Sequence, residues 1–484
     1  MTGSGALPTA HDLFIAGRWT TGSGGTFDVD DPATGTVIAS VANGDAADAG
    51  RAVDAAAAAA ADWARTPPRR RSEMLHTAFG LMRRDRTTLA DLIVAENGKS
   101  RADADAEVTY AAEYLRWFAE EAVRNDGTYN QSPDGKSRTI VQRRPVGTAA
   151  LVIPWNFPAA MATRKLGPAI AAGCTVVLKP AAETPLTALA LARILSEAGV
   201  PAGVVNVVPT TDPGAVVAAW MADTRVRKIS FTGSTGVGRL LLRQAADRVV
   251  NSSMELGGNA PFIVTRDADL GAAVEGAMVA KFRNSGQACT AANRFYIHQD
   301  VATEFTEVLS RRVRALRVGP ATEHGNTIGP LISAAAVSSI TDLVDTAVRG
   351  GARVAARGAC PPPGGGHFFP PTVLTDVASD AEIVRTEIFG PVAPILTWDD
   401  ECDLLNQVND SEAGLAAYVY AGDLQHALRL GESIQSGMIG INRGLVSDPA
   451  APFGGMKQSG LGREGGREGI HDYTEIQYLG IDWA

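Results

Sequence analysis

Apolar residues recur at three- and four-residue spacing early in the chain, within residues 52–63, 74–92 and 108–118. This spacing puts them on one face of a helix and predicts helical structure over residues 45–125. Thr66-Pro67-Pro68 and Asn97-Gly98 interrupt the pattern, because proline breaks a helix and Asn-Gly favours a turn. The pattern therefore predicts several separate helices, preceded by a short strand-like entry at residues 14–19.

The pattern changes after residue 125. Residues 126–146 are polar and turn-rich and then extended, which predicts a hairpin that stands away from the main body. From Gly147, short apolar strands alternate with helical stretches, and residues 259–440 repeat the alternation. Alternating strands and helices form right-handed βαβ units around parallel sheets. The sequence therefore predicts an α/β protein with two parallel-sheet domains.

The composition is that of a soluble globular protein. The 484 residues are 45% hydrophobic and carry a formal net charge of -9, which disfavours nucleic acid and anionic membrane as partners. No secretory signal is visible, and no apolar run approaches the roughly 20 residues that a membrane-spanning helix needs. Four scattered cysteines, at positions 174, 289, 360 and 402, show no metal-binding spacing. We expect a reduced, cytoplasmic protein without a metal site.

Two segments are suited to a phosphate-bearing ligand, although neither is decisive alone. The segment FTGSTGVG at 231–238 lies between a predicted strand and a predicted helix, where glycines let the backbone approach a diphosphate. A tight turn with no ligand would have the same composition. Lys179 ends an apolar strand and can reach a ribose or a phosphate, but a solvated strand end is the more common interpretation of such a lysine. The usual GxGxxG signature is missing.

Three segments carry more specific information: PWNF at 154–157, ELGGNAP at 255–261 and FRNSGQAC at 282–289. With PFGG at 452–455 and SGLGRE at 459–464, they resemble the aldehyde dehydrogenase superfamily, in its order and spacing and over essentially the whole chain. The resemblance implies a Rossmann-like cofactor domain, a catalytic domain and a small β oligomerisation arm. It also implies oxidation of an aldehyde to a carboxylic acid.

The resemblance makes Cys289 the nucleophile. An aldehyde carbon has no leaving group except hydride, so a thiolate must first add to it and form a thiohemiacetal that can expel hydride to a nicotinamide. The resemblance assigns the developing oxyanion to the side-chain amide of Asn156 and the backbone N–H of Cys289. Cys174, within an apolar run, is instead expected to be a small buried hydrophobic residue.

By the same resemblance, Glu255 is the base that activates water to hydrolyse the thioester. Relatives that pass the acyl group to coenzyme A lack this glutamate, so release of a free acid is favoured. Lys165 and Glu464 match positions that the family uses to relay protons from the site.

The cofactor positions implied by the family are Pro154, Trp155, Lys179, Ala182, Gly233, Ser234, Glu387 and Phe389. Relatives that prefer NAD commonly have a glutamate three residues after the lysine, and here that position is Ala182. The missing carboxylate removes a repulsion against a 2′-phosphate. We therefore expect NADP or NAD to be used, with NADP or dual use favoured, although the neighbouring Glu183 could swing in.

Within the superfamily the chain most resembles the succinate-semialdehyde dehydrogenase branch. Arg164 and Arg283 match its two substrate-binding arginines, whose planar guanidinium groups suit a carboxylate, and Ser447 matches a hydroxyl donor to the same group. Ala291 replaces a second cysteine found in many members, so their disulfide switch should be absent. Arg443 replaces a small polar residue and could extend the range to other acidic semialdehydes.

The alternatives are a broad aldehyde dehydrogenase for uncharged or longer aldehydes, such as glutarate semialdehyde, and a non-catalytic structural protein on the same fold. We predict a cofactor domain at residues 1–122 and 147–257 and a catalytic domain at 258–470. Residues 123–146 and 471–484 are expected to pair as the oligomerisation arm. Because an exposed strand edge is hazardous in a monomer, we expect a homodimer or homotetramer.

Overall fold

The structure is a computed structural model that describes residues 10–362 and 364–483. Its strands are β1 (Ala10–His11), β2 (Leu13–Ile15), β3 (Arg18–Thr20), β4 (Thr26–Asp31), β5 (Thr36–Ala42), β6 (Thr128–Gln131), β7 (Ser137–Pro145), β8 (Thr148–Val152), β9 (Val176–Lys179), β10 (Val205–Val207), β11 (Val226–Thr232), β12 (Asn251–Glu255), β13 (Ala260–Val264), β14 (Ala292–His298), β15 (Arg353–Arg357), β16 (Thr372–Thr375), β17 (Val392–Trp398), β18 (Ala413–Gly414), β19 (Ala416–Tyr420), β20 (Met438–Ile441), β21 (Met456–Lys457), β22 (Gly460–Leu461) and β23 (Thr474–Asp482).

Its helices are α1 (Ala46–Arg65), α2 (Pro68–Arg84), α3 (Arg86–Asn97), α4 (Arg101–Glu121), α5 (Pro158–Ala172), α6 (Pro185–Glu197), α7 (Pro213–Ala222), α8 (Thr235–Ala246), α9 (Leu270–Phe282), α10 (Gln299–Arg314), α11 (Ala334–Arg349), α12 (Glu382–Arg385), α13 (Glu401–Asn409), α14 (Leu424–Ser433) and α15 (Glu468–His471). No helix in the described ranges is long and apolar enough to cross a membrane.

The first four helices confirm the predicted helical region and both predicted breaks. The helix α1 ends just before the two prolines, and α3 ends at Gly98, whose φ of 80° only glycine adopts readily. One further break, between α2 and α3 at Asp85, was not predicted. The Asp85 carboxylate pairs there with Arg84 and Arg193. The apolar pattern continues through this turn, so periodicity alone gives no sign of it.

The first large sheet has the order β22-β12-β11-β8-β9-β10-β2-β3, in which β12 to β10 are parallel. Alternate residues of β8 pack on opposite faces: Ala149 and Leu151 join one core cluster, Ala150 and Val152 the other. Burial on both faces explains why residues 149–152 of this strand are all apolar. The carboxyl ends of β8, β9, β11 and β12 lead into the candidate site.

The second large sheet has the order β15-β16-β17-β14-β13-β19-β20, parallel from β16 to β20. Phe262 and Val264 pack on one face and Ile263 on the other, so helices cover both sides. The predicted α/β class with two parallel-sheet units is confirmed. Both sheets together place the amino ends of β13 and β14 against the carboxyl ends of the first sheet's strands.

A third sheet, of order β23-β7-β6, is antiparallel. The hairpin β6–β7 and the C-terminal strand β23 thus form the predicted arm. Ile476, Tyr478 and Trp483 on β23 and beyond it are exposed. The exact domain boundaries, and the arm's role in oligomerisation, stay predictions.

Candidate active site

The nucleophile predicted from the sequence, Cys289, follows α9 and precedes β14. Its thiol is half-buried and lines a cavity of about 240 Å³. Burial raises the pKa of the Cys289 thiol to about 12, while the positive charges of Arg164 and Arg283 oppose this rise. The resting sulfur is therefore a thiol, and nearby positive charge favours its conversion to the reactive thiolate.

The turn that carries Cys289 has an unusual backbone. Asn284 and Ser285 have φ of 51° and 55°, in the left-handed region that side chains disfavour. Hydrogen bonds hold it in place: Asn284 Nδ2 donates to the backbone oxygens of Asn156 (2.9 Å) and Gln287 (3.1 Å), and Ser285 Oγ donates to Gly329 O (2.9 Å). Gly258 packs against this segment so closely that a Cβ would lie 2.2 Å from Cys289 O. The thiol is thus held on a fixed support.

Asn156, the predicted oxyanion donor, lies in the loop between β8 and α5 and lines the same cavity as Cys289. Its side chain is buried, and Nδ2 donates one hydrogen bond, to Gln287 O at 3.1 Å. An amide nitrogen carries two hydrogens, so one remains for an oxygen on a substrate. The structure therefore brings the predicted donor and nucleophile together.

Glu255 ends β12 and is the third predicted catalytic residue in this cavity. It is 3% exposed, and its Oε2 has no hydrogen-bond partner among the described residues. Burial raises the pKa of Glu255 well above its ordinary value, and the charge of Glu464 raises it further. A carboxyl group with a raised pKa and a free oxygen in a cavity is suited to exchange protons with water.

Lys165 and Glu464, the predicted relay, form a buried group beside Glu255. Lys165 Nζ lies 2.5 Å from Glu464 Oε1 and donates to Ser230 Oγ at 2.8 Å. Burial lowers the pKa of Lys165, and Glu464 opposes that effect. For Glu464, burial would raise the pKa, but the charges of Lys165 and Arg164 outweigh it and the pKa falls.

A second cavity, of about 520 Å³, adjoins the first: Pro154, Thr232 and Gly233 line both. The predicted residues Lys179 and Ala182 line it, together with Glu183, Thr210 and Gln244. Ser234 caps the amino end of α8 between β11 and the helix. An elongated space with a cationic side chain and a helix amino end fits a dinucleotide, whose nicotinamide would accept hydride from the substrate.

Three more predicted cofactor residues, Trp155, Glu387 and Phe389, border the catalytic cavity. Trp155 and Phe389 lie edge to face with ring centroids 5.5 Å apart. Glu387 Oε1 accepts the N–H of Gly258 at 3.1 Å. Burial raises the pKa of Glu387 to about 7, while Gly258 and Lys281 oppose the rise. Trp155 and Phe389 thus form one wall beside Cys289.

The three predicted substrate-binding residues differ in their burial and in their surroundings. Arg164 is 1% exposed and does not line the cavity; its Nε is 2.5 Å from Glu464 Oε2, and its guanidinium lies 4.0 Å from the Phe453 ring centroid. Arg283 is half-buried, 5.1 Å from the Phe157 ring centroid. Ser447 is half-buried in the loop after β20 and is not a lining residue of the cavity. Arg443 is exposed.

Several residues of the site were not predicted. Met161, Thr232, Leu256 and Gly257 line the catalytic cavity. Leu256 and Gly257 lie within a recognised motif, whereas Met161 is one apolar residue of a helix that is buried on every side.

Cys174 lies outside the site and is fully buried, as expected, with its Sγ in contact with Tyr473 O. All four cysteines are free.

Comparisons with known proteins agree with this geometry. Residues 19–479 match the aldehyde dehydrogenase family. A succinate-semialdehyde dehydrogenase of Paenarthrobacter nicotinovorans is 52% identical, over 92% of this chain and 99% of its own length. A glutarate-semialdehyde dehydrogenase of Pseudomonas putida is 46% identical, over 97% of this chain and 98% of its own.

A crystal structure of an NADP-dependent enzyme of Escherichia coli superposes with a TM-score of 0.96 at 46% identity, covering 98% of each chain. The family predicted from the motifs is confirmed. This chain belongs to the aldehyde dehydrogenase family and is an NAD(P)-dependent oxidoreductase acting on an aldehyde group.

Proposed function

We propose that this enzyme oxidises succinate semialdehyde to succinate, with NADP or NAD as the hydride acceptor. The observation that carries the proposal is that Cys289, Asn156 and Glu255 line one cavity, with Arg283 near enough to affect the thiol. A thiol, an amide donor and a carboxyl base serve the two halves of the reaction, oxidation and hydrolysis.

In the first half, the Cys289 thiol loses its proton to solvent, and the resulting thiolate adds to the aldehyde carbon and forms a thiohemiacetal. Negative charge develops on the former carbonyl oxygen, and the second hydrogen of Asn156 Nδ2 stabilises it. A donor aimed at developing charge in a buried site acts more strongly than one in water. Loss of hydride from the same carbon leaves a thioester on Cys289.

In the second half, water attacks the thioester carbon. Glu255 takes the proton from that water, the carbon–sulfur bond breaks, and the Cys289 thiolate is restored as the carboxylic acid leaves. Because its own pKa is raised, Glu255 must release its proton before each turnover. We propose that Lys165 and Glu464, hydrogen-bonded to each other beside it, carry that proton away.

The far carboxylate of the substrate requires a cation near the thiol. Arg283 is the stronger candidate, because no carboxylate among the described residues forms an ion pair with its guanidinium, while Arg164 is already paired with Glu464. The assignments of Arg164 and Ser447 to substrate stay predictions. Support comes from the named relatives, whose substrates, succinate and glutarate semialdehyde, both carry a terminal carboxylate. Glutarate semialdehyde, one carbon longer, is therefore the second candidate substrate.

For the cofactor, we propose NADP with NAD as an accepted alternative. Ala182 leaves space where a carboxylate would repel a 2′-phosphate, and Lys179 supplies a positive charge in the same cavity. Glu183 also borders this cavity and is close enough to Lys179 to affect its pKa. The E. coli structure of an NADP-dependent enzyme supports the same choice.

We also propose that the arm assembles a homodimer or homotetramer. Tyr129, Ile476, Tyr478 and Trp483 are each more than half exposed, although large apolar side chains are normally covered. The strands β6 and β23 are the two edge strands of this sheet, and an edge strand can pair with a strand of a second copy. Size-exclusion chromatography with light scattering would report a single-chain mass if the arm does not associate.

The test is a set of initial rates with succinate semialdehyde, glutarate semialdehyde and butanal, each measured with NADP and with NAD. We expect the highest kcat/KM for succinate semialdehyde with NADP. Arg283→Gln should raise the KM for both semialdehydes and leave the KM for butanal unchanged. The matched change Arg266→Gln, at an exposed arginine away from the cavity, should alter the KM of none of the three aldehydes. Equal kcat/KM for butanal and succinate semialdehyde would overturn the substrate assignment.

A further inference from the structure

The backbone carbonyl of Asn156 accepts two hydrogen bonds from side chains of other segments. Lys99 Nζ donates at 2.7 Å and Asn284 Nδ2 at 2.9 Å. Lys99 is 1% exposed, and its Nζ also lies 4.0 Å from the ring centroid of Phe157. A buried ammonium group is thus directed at the peptide of the oxyanion donor.

The charge of Lys99 is balanced by Glu107, which is buried as well. Lys99 Nζ lies 2.5 Å from Glu107 Oε2, while Glu107 Oε1 accepts the N–H groups of Ala159 (2.9 Å) and Ala160 (3.3 Å). These two amides belong to the first turn of α5, three and four residues after Asn156. Glu107 therefore fixes the start of α5, and Lys99 fixes the residue that precedes it.

Asp103 lies one helical turn before Glu107 on α4 and contacts the other side of the site. Its Oδ2 accepts the backbone N–H of Asn284 at 3.1 Å. Asn284 begins the left-handed turn that leads to Cys289. The segment formed by Lys99 and the first two turns of α4 thus binds both the Asn156 loop and the Cys289 turn.

We propose that Lys99, neutralised by Glu107, is a positioning residue that holds the Asn156 amide in register with Cys289. The inference rests on the proposed function, since it requires Asn156 to be the oxyanion donor. A shift of the Asn156 backbone would carry its Nδ2 away from the oxygen it must stabilise, and misplacement by about 1 Å can cost on the order of a hundredfold in rate.

The test is a double-mutant cycle on the purified enzyme, read as the rate of the first-turnover formation of reduced cofactor. Lys99→Met should lower this rate about tenfold to a hundredfold in the wild-type background. In an Asn156→Ala background the same change should cost less than about twofold, because the amide it positions is gone. The dissociation constant of the cofactor should not change in any variant.

The matched control is Glu96→Gln. Glu96 is another buried carboxyl group that caps a helix, accepting the N–H groups of Leu186 (2.7 Å) and Thr187 (3.0 Å) of α6, and its hydrogen bonds go to α6 and not to Asn156. The Glu96→Gln change should lower the free energy of unfolding and leave the first-turnover rate within about twofold of the wild-type rate. Glu107→Gln, which keeps an oxygen for the α5 amides, carries the same cycle if Lys99→Met does not fold.

The outcomes separate the two proposals. Equal losses from Lys99→Met in both backgrounds, or no loss in either, would overturn the positioning role while an active wild-type enzyme leaves the proposed function standing. A wild-type enzyme that oxidises no aldehyde would overturn the proposed function and, with it, this inference.

Discussion

Arg164 Nε lies 2.5 Å from Glu464 Oε2, so this arginine pairs with a carboxylate of the protein inside the core. Neither atom makes a well-aligned hydrogen bond, and the contact is chiefly electrostatic. Both residues are buried, and Glu464 also pairs with Lys165. The charge on Arg164 therefore affects the proton relay as well as the thiol.

Arg164→Gln should consequently act on every aldehyde. Without the guanidinium, the buried Glu464 keeps only Lys165 as a partner, and we expect a loss of about 3 kcal/mol in the free energy of unfolding. The kcat should fall for succinate semialdehyde and butanal alike. Steady-state kinetics and thermal unfolding measure both effects. An increase in KM confined to succinate semialdehyde, with unchanged stability, would instead make Arg164 a substrate ligand.

Asn156→Ala should reduce the first-turnover rate by about 10²- to 10³-fold, which corresponds to ~2.7–4 kcal/mol of transition-state stabilisation. The KM for the aldehyde should change little, because the amide acts on charge that develops only during the reaction. Stopped-flow absorbance of the reduced cofactor measures the first-turnover rate. Asn409→Ala, which removes a side-chain amide outside the cavity, is the control; an equal loss there would discredit the assignment.

Glu183→Gln should increase the preference for NADP. Removing a negative charge from the cavity that contains Lys179 reduces the repulsion against a 2′-phosphate, and we expect the ratio of kcat/KM for NADP to that for NAD to rise about tenfold. Ala182→Glu should lower the same ratio. The exposed Glu304 of α10 provides a control as Glu304→Gln. Unchanged ratios in both cavity variants would show that other residues select the cofactor.

Hydrolysis of the thioester should accelerate as pH rises. Burial holds the pKa of Glu255 well above its ordinary value, so at low pH the carboxyl group is protonated and cannot take a proton from water. The active fraction grows as pH rises through that raised pKa. A pH profile of the decay rate of preformed acyl-enzyme measures this directly. A flat profile between about pH 6 and 9 would mean that Glu255 is not the base.

The fold could be predicted because burial leaves a periodic trace in the sequence. Residues 149–152 of β8 and the whole of β13 are apolar, since both faces of these strands are covered, and the amphipathic helices show one apolar face. Asp85 could not be predicted as a helix end, because what fixes it is an ion pair with Arg193 on another helix. Local patterns do not contain such pairings.

The catalytic trio could be predicted only from motifs that the family shares, not from the spacing of Asn156, Glu255 and Cys289 along the chain. Lys99 is a residue that these motifs do not predict. In the sequence Lys99 follows the helix-breaking pair Asn97-Gly98, and the local pattern predicts only a turn there, with no role for the lysine. Its contact with Asn156 depends on how α3 and α4 pack against α5, so only the three-dimensional structure shows it.

Hydrolysis of a thioester on Cys289 with the help of Glu255 can be tested directly. Glu255→Gln enzyme is mixed with succinate semialdehyde and NADP, and intact-protein and peptide mass spectrometry follow the covalent state of Cys289. We expect about one equivalent of NADPH per active site and a succinyl group that stays on Cys289. Continued turnover at the wild-type rate with an unmodified Cys289 would contradict this role of Glu255.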